Sequence, residues 1–247
     1  MIDETSAKRG HRYVTVVLDA DTRDLLLMVP GRSADAVSEF ASVMAAHGAH
    51  PSQISEVVMD MSTAFISGVK KCFPQARIVF DLFHIMKLAG EAVDSVRKDL
   101  HKQGADLRAG LWSIRGNEWT RTEEQLARRR ELVASYPILG RAIALREALQ
   151  DVLSDGDLPS IRWWFGWADR SRLKPFRKLS KTLKEHLYGI LAYLETRLTN
   201  AAMEAINGVL QLAKRTARGF RNFHYFRLTA YLKASRLSIN LPHPLPT

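Results

Sequence analysis

Tyr13-Val14-Thr15-Val16-Val17-Leu18 is β-branched and aromatic throughout, and it runs into the turn-forming Asp19-Ala20-Asp21. A short run of that kind bounded by turn residues reads as a strand. Leu25 to Val29 is a second apolar run, stopped by Pro30-Gly31, so the two form an antiparallel pair. Working back, Met1 to Glu4 contributes the tail of a first strand. Working forward, Ser33 caps a helix whose Val37, Phe40, Ala41 and Met44 recur at i, i+3, i+4 and i+7, with Gly48 ending it. Val57-Val58-Met59 is a buried strand with Asp60 at its end. Ala64 to Cys72 is a helix stopped by Pro74, and Arg77-Ile78-Val79-Phe80 is another strand. The order β-β-β-α-β-α-β, a meander that then alternates with helices, predicts an α/β fold on a mixed sheet.

Beyond His84 the strand signals stop. Residues 85–195 carry helical periodicity and all five tryptophans, Trp112, Trp119, Trp163, Trp164 and Trp167. They read as an all-helical insertion with its own aromatic core, for which packing is the expected role of most tryptophans. Arg128-Arg129-Arg130 reads as a solvated helix face. Residues 196–247 hold two helices, the first capped by Thr199 or Asn200 and closed by Gly219. Along it Asn200, Glu204, Asn207, Gln211, Lys214 and Arg218 follow at steps of 4, 3, 4, 3 and 4, one polar stripe. Ala202, Ala205, Ile206, Val209 and Ala213 lie on the other side and can pack on the sheet; taken by itself the stripe reads as a solvent-facing edge before a catalytic one.

Composition narrows the function. The 247 residues are 46% hydrophobic and 25% charged, which excludes disordered and fibrous classes. One cysteine, Cys72, excludes a disulfide scaffold and a cysteine-based zinc site. No apolar run reaches the ~20 residues of a membrane span. Residues 1–10 lack the apolar stretch of a signal peptide, so a cytoplasmic protein without a membrane partner is expected. The net charge of +10 is uneven: −2 over residues 1–84, +5 over 85–195 and +7 over 196–247. Glu204 is the single carboxylate side chain in the last 52 residues. A carboxylate-rich start and a basic end suit a fold that holds metal ions next to phosphates, with nucleic acid as the partner.

Three carboxylates stand where metal work would need them: Asp3 before the first confident strand, Asp60 at the end of a buried strand, and Glu204 on a helix able to cover the sheet. Hard divalent cations such as Mg²⁺ take oxygen ligands, commonly one or two carboxylates with water and substrate phosphate. Two such ions ~3.5–4 Å apart activate an attacking oxygen and stabilise a leaving one. Spacing alone does not single these residues out, since aspartate is common at strand ends and caps.

Several segments match a known family, in order, at both ends of the chain. They are Ile2-Asp3-Glu4, Lys8-Arg9-Gly10-His11-Arg12-Tyr13 through Leu18-Asp19, and Pro30-Gly31-Arg32. Val58-Met59-Asp60-Met61-Ser62 and Val79-Phe80-Asp81-Leu82-Phe83-His84-Ile85-Met86-Lys87 follow. Thr199-Asn200-Ala201-Ala202-Met203-Glu204-Ala205-Ile206-Asn207 and Arg218-Gly219-Phe220-Arg221-Asn222-Phe223 complete the set. Through them the chain resembles the bacterial insertion-sequence transposases of the DDE type, most closely the ISL3 family.

The resemblance implies a ribonuclease-H-like fold, with residues 1–84 as its sheet part, 85–195 as a helical insertion and 196–247 as the helices completing it. It implies Asp3, Asp60 and Glu204 as a catalytic, metal-binding triad for two Mg²⁺ or Mn²⁺ ions, with Asp19 the rival of Asp3 for the first place. Asp81, His84 and Asn207 are expected in supporting roles. Lys214, Arg215, Arg218 and Arg221 are expected to contact phosphates of duplex DNA, transposon ends and target alike, in a homodimer or higher oligomer. Family members carry an N-terminal zinc-binding segment and a helix-turn-helix, which one cysteine cannot supply here. The expectation is therefore a transposase catalytic part. A shortened DNA-binding remnant that does not cut, and a ribonuclease-H-like nuclease that cuts without joining, are the alternatives.

Overall fold

The computed structural model describes residues 1–8, 12–105, 107 and 122–234. Its described residues fold as two compact units, one drawn from Met1–Ile78 with Thr199–Thr247 and one from Val79–Leu198.

In the first unit β1 (Ile2–Lys8), β2 (Arg12–Leu18) and β3 (Leu25–Pro30) form an antiparallel meander. Asp3 stands opposite Val16 and Thr5 opposite Val14; Val16 in turn faces Met28. β1 runs well past Glu4, where the sequence signal ends. Thr5, Ser6 and Ala7 have no strand signature of their own, and pairing with β2 makes them a strand. α1 (Ala34–Ala46) follows, then β4 (Glu56–Met59), α2 (Thr63–Cys72) and β5 (Arg77–Phe80). β4 lies alongside β1 and pairs with β5. The backbone ladder is thus in two parts, three strands and two, rather than the single mixed sheet expected.

Successive residues Val16 and Val17 are both buried, so the meander is covered on both faces. Val14, Val16, Leu18, Leu25 and Met28 pack with Met203 and Leu210 of α9 (Ala201–Thr216) and with Phe226 and Ala230 of α10 (Phe223–Ala234). Each large apolar side chain buried there contributes roughly 1.5–3 kcal/mol. Ser33 caps α1 as read, its Oγ accepting the Asp35 N–H at 3.3 Å. α1 also packs tightly on α2, because Gly68 has no side chain: a Cβ there would stand 2.9 Å from Val37.

Among its described residues, the second unit is helical beyond β5: α3 (Leu82–Lys102), α4 (Glu123–Ser135), α5 (Pro137–Asp155), α6 (Leu158–Arg170), α7 (Lys174–Glu185) and α8 (Leu187–Thr196). Trp164 is fully buried and its Nε1 donates to the Leu145 carbonyl at 2.8 Å, the packing role expected. Trp163 is instead 57% exposed, its ring 5.3 Å from that of Trp167. Trp112 and Trp119 lie outside the described residues. Arg128 pairs with Glu131 and Arg129 with Glu147, so the arginine run braces α4 against α5 as well as facing water. No helix among the described residues is long and apolar enough to cross a membrane.

Candidate active site

Strand alternation puts Asp3 and Thr5 on one face of β1, and both are buried. A carboxylate that is 7% exposed needs donors. Asn207 of α9 supplies one, its Nδ2 donating to Asp3 Oδ2 at 2.8 Å. One turn on, Gln211 Nε2 donates to Thr5 Oγ1 at 2.8 Å and to the Ser6 carbonyl at 3.0 Å. Lys214 Nζ reaches the same carbonyl at 2.7 Å. Residues 207 to 214 rise about 10.5 Å along a helix and residues 3 to 6 about 10 Å along a strand. The two elements therefore run side by side in the same direction, fastened by one polar contact per turn.

This corrects the expected orientation of α9 over its middle turns. Asn207, Gln211 and Lys214, the middle of the polar stripe, dock on β1, while Glu204 and Arg218 of the same stripe are exposed; of the residues assigned to the sheet side Ala205 is exposed and Ala213 is buried. The physical reason is β1 itself: Asp3, Thr5 and the Ser6 carbonyl are acceptors that apolar side chains could not satisfy. Met203 and Leu210, flanking the stripe, enter the core beside it.

Glu204 lies one turn before Asn207 on α9 and is exposed. Asp60 follows β4, the strand beside β1, and its Oδ1 accepts the Ser62 N–H at 2.9 Å where α2 begins. Among the described residues, no three His, Cys, Asp or Glu side chains stand together as a metal-holding group. Asp19 is engaged differently. Its Oδ1 accepts the N–H groups of Asp21 and Thr22, both at 2.8 Å, pinning the β2–β3 turn. The Thr22 N–H, foremost, holds its carboxyl below the usual range.

Asn200 and Asn207 are the residues that sequence reasoning underrated. Asn200 is 1% exposed, stands at the N-cap position of α9 and makes no capping bond. Neither its Oδ1 nor its Nδ2 has a partner, and the same holds for Oδ1 of Asn207. These amide oxygens, with the carboxylates of Asp3 and Glu204, are hard donors of the kind a divalent cation takes.

The other end of α9 is basic. Lys214 is tied to Ser6 and half-buried, and burial lowers its pKa. Arg215, Arg218 and Arg221 are exposed. Arg218 adopts the left-handed conformation at φ 53° next to Gly219 at φ 95°, and the Gly219 N–H closes the helix on the Lys214 carbonyl at 2.8 Å. In the second unit Asp81 caps α3 through the Phe83 N–H at 3.2 Å and holds His84 Nδ1 at 2.9 Å.

The family of DDE transposases of the ISL3 type matches residues 1–230. The chain belongs to that family. It is 32% identical over 240 residues to the transposase of insertion sequence element IS1001 from Bordetella parapertussis, covering 92% of this chain and 58% of that protein. It is 28% identical over 252 residues to the transposase of insertion sequence element IS1557 from Mycobacterium tuberculosis (strain CDC 1551 / Oshkosh), covering 90% of this chain and 56% of that one. This ISL3-type chain thus spans a little over half the length of the curated relatives it matches.

Proposed function

We propose that this chain is the DNA-cutting and strand-joining part of an insertion-sequence transposase, with Asp3, Asp60 and Glu204 as its catalytic carboxylates. The observation that carries the reading is the fastening of α9 to β1. It holds buried Asp3 through Asn207 and sets Glu204 one turn away on the same helix, with Asp60 just past the end of the neighbouring strand. The strand succession supports a ribonuclease-H-like scaffold: an antiparallel meander β1–β2–β3, β4 beside β1, then β5. Asp3 is preferred to Asp19 because Asp19 is occupied by its own turn.

Asp3, Asp60 and Glu204 would hold Mg²⁺ or Mn²⁺, which lowers the pKa of an attacking water and offsets charge on the leaving oxygen. Water attacks the phosphorus at the element's end and the bond to the 3′ oxygen breaks. The freed 3′ hydroxyl then attacks a phosphodiester of the target, displacing its 3′ oxygen. No side chain serves as nucleophile, so no protein–DNA bond forms. Asn207 keeps Asp3 in place, and the Asp81–His84 pair fixes the start of α3. Arg215, Arg218 and Arg221 contact phosphates without reading sequence, and Lys214 joins them from its tether on Ser6. Beside them a cavity of about 750 Å³ is lined by Tyr13, Phe220, Arg221, Asn222 and Phe223, rings and a guanidinium of the sort that suits nucleic acid. The protein acts as a dimer or larger assembly on DNA.

The exposed basic end of α9 also suits one second reading, a DNA-binding part that does not cut alone. Incubating the chain with duplex DNA carrying the element's ends, in Mg²⁺ and in Mn²⁺, decides. Cut and joined products are expected. Cut products without joined ones would make it a nuclease, and binding without any cut would make it the DNA-binding part.

A further inference from the structure

Among the described residues of the first unit, Asn200 is the side chain with the most buried atoms lacking a partner. Burying an amide with neither donor nor acceptor engaged costs more than leaving it in water. Leucine has the same number of heavy atoms and would fill the place without that cost. Four buried side-chain atoms among the described residues have no hydrogen-bond partner: Oδ1 and Nδ2 of Asn200, Oδ1 of Asn207, and Ser180 Oγ. Three of the four thus belong to the two asparagines that flank Glu204, four residues before it and three after, on one stripe of α9. Unpartnered buried polar groups call for an unseen water, ion or ligand. Nor is the Asn200 side chain spent on its helix, since it makes no cap.

We infer that Asn200 and Asn207 are binding residues for the phosphodiester and cation handled at Glu204, an inference that rests on the reading of Glu204 given above. An amide brings a donor and an acceptor on one rigid group. The Nδ2 of Asn200 donates to a non-bridging phosphate oxygen. The Oδ1 atoms of Asn200 and Asn207 accept from the cation's water shell or ligate it directly. Asn207 meanwhile keeps its Nδ2 on Asp3, so it links the strand carboxylate to the same ligand.

The test uses the full chain and Asn200→Leu. A structural amide and a ligand-binding one predict opposite signs. Unfolding followed in EDTA should show Asn200→Leu melting about 2–4 °C higher than the parent. Mn²⁺ binding, read by electron paramagnetic resonance of the free ion without any turnover, should weaken about tenfold. Asn200→Asp keeps an acceptor and loses the donor: it should retain Mn²⁺ and bind a short DNA duplex more weakly in EDTA. A lower melting temperature for Asn200→Leu with Mn²⁺ binding unchanged would overturn the inference. Glu204→Gln, measured alongside, separates the two levels. Loss of Mn²⁺ there but not in Asn200→Leu removes the role of the asparagines alone. Mn²⁺ binding unmoved by Glu204→Gln, or absent from the parent chain, removes the parent reading and this one with it.

Discussion

Asn207 Nδ2 and Asp3 Oδ2 meet at 2.8 Å across 204 positions of sequence. That bond joins the two chain segments of the first unit at the point where its first strand carries a buried carboxylate. Everything proposed for the site depends on α9 being held to β1 in this register, so the bond is where the account is most exposed to measurement.

Asn207→Leu removes a hydrogen bond to a charged acceptor and also removes an unpartnered oxygen. The first effect costs about 1.5–3 kcal/mol and the second returns part of it, so a net loss of about 1–2 kcal/mol in urea unfolding is expected. Asn207→Asp should cost more in EDTA, because it sets a second carboxylate against Asp3. Mg²⁺ should recover part of that loss. Equal stability of the two variants with and without Mg²⁺ would place the cation elsewhere.

Asp19 separates a turn residue from a catalytic one. Its carboxyl is held below the usual range by the Thr22 N–H, so the stabilisation is present above the ordinary aspartate pKa and is lost as pH falls through its lowered value. Asp19→Asn keeps an acceptor for the turn and should leave cutting near the parent's, while giving up at neutral pH the stabilisation that the parent loses only in acid. Asp3→Asn should abolish cutting. If Asp19→Asn is dead while Asp3→Asn cuts, the first carboxylate is Asp19.

The exposed arginines predict a salt-dependent affinity. Replacing Arg215, Arg218 and Arg221 together by Ala should flatten the slope of log K against log salt by about 0.9 for each phosphate no longer neutralised. Adding Lys214→Ala should change the slope less than any of the three, because Lys214 already donates to Ser6. Titrations of duplex DNA followed by fluorescence anisotropy measure this. A slope unmoved by the triple change would turn this end of α9 away from DNA.

Gly68→Ala tests the close approach of α1 and α2. In an open helix that change would stabilise by up to about 1 kcal/mol. Here the added Cβ meets Val37 at 2.9 Å and the Ala34 carbonyl at 3.2 Å. The change should instead destabilise by about 1–3 kcal/mol in thermal or urea unfolding. A stabilised variant would mean that the two helices are looser than described.

What was legible in the sequence follows from local chemistry. β2, β3 and β5 announce themselves by β-branched runs and turn residues, and α1 by Ser33 and its apolar period. The later half of β1 does not, because Thr5, Ser6 and Ala7 become strand only through the partners they meet in β2 and α9. The outward reading of the α9 stripe failed at Asn207, Gln211 and Lys214 for the same reason: a polar face is solvent-facing only when the surface it could dock on is apolar. Asn200 read as a cap from its type and place. Its burial without a partner depends on the packing around it, which no spacing encodes. Asp60 and Glu204 stand out through family resemblance rather than through any local signal.

The most direct test of the central claim is Glu204→Gln, which keeps shape and helix propensity nearly unchanged while removing the one carboxylate side chain of the last 52 residues. Cutting and joining of DNA in Mg²⁺ should be abolished, while affinity for duplex DNA in EDTA should hold or rise slightly as a repulsive charge is lost. Glu195→Gln, at an exposed position of α8, should behave as the parent does in both assays. Full-rate cutting by Glu204→Gln beside a dead Asp60→Asn would contradict the account and leave Glu204 a surface residue.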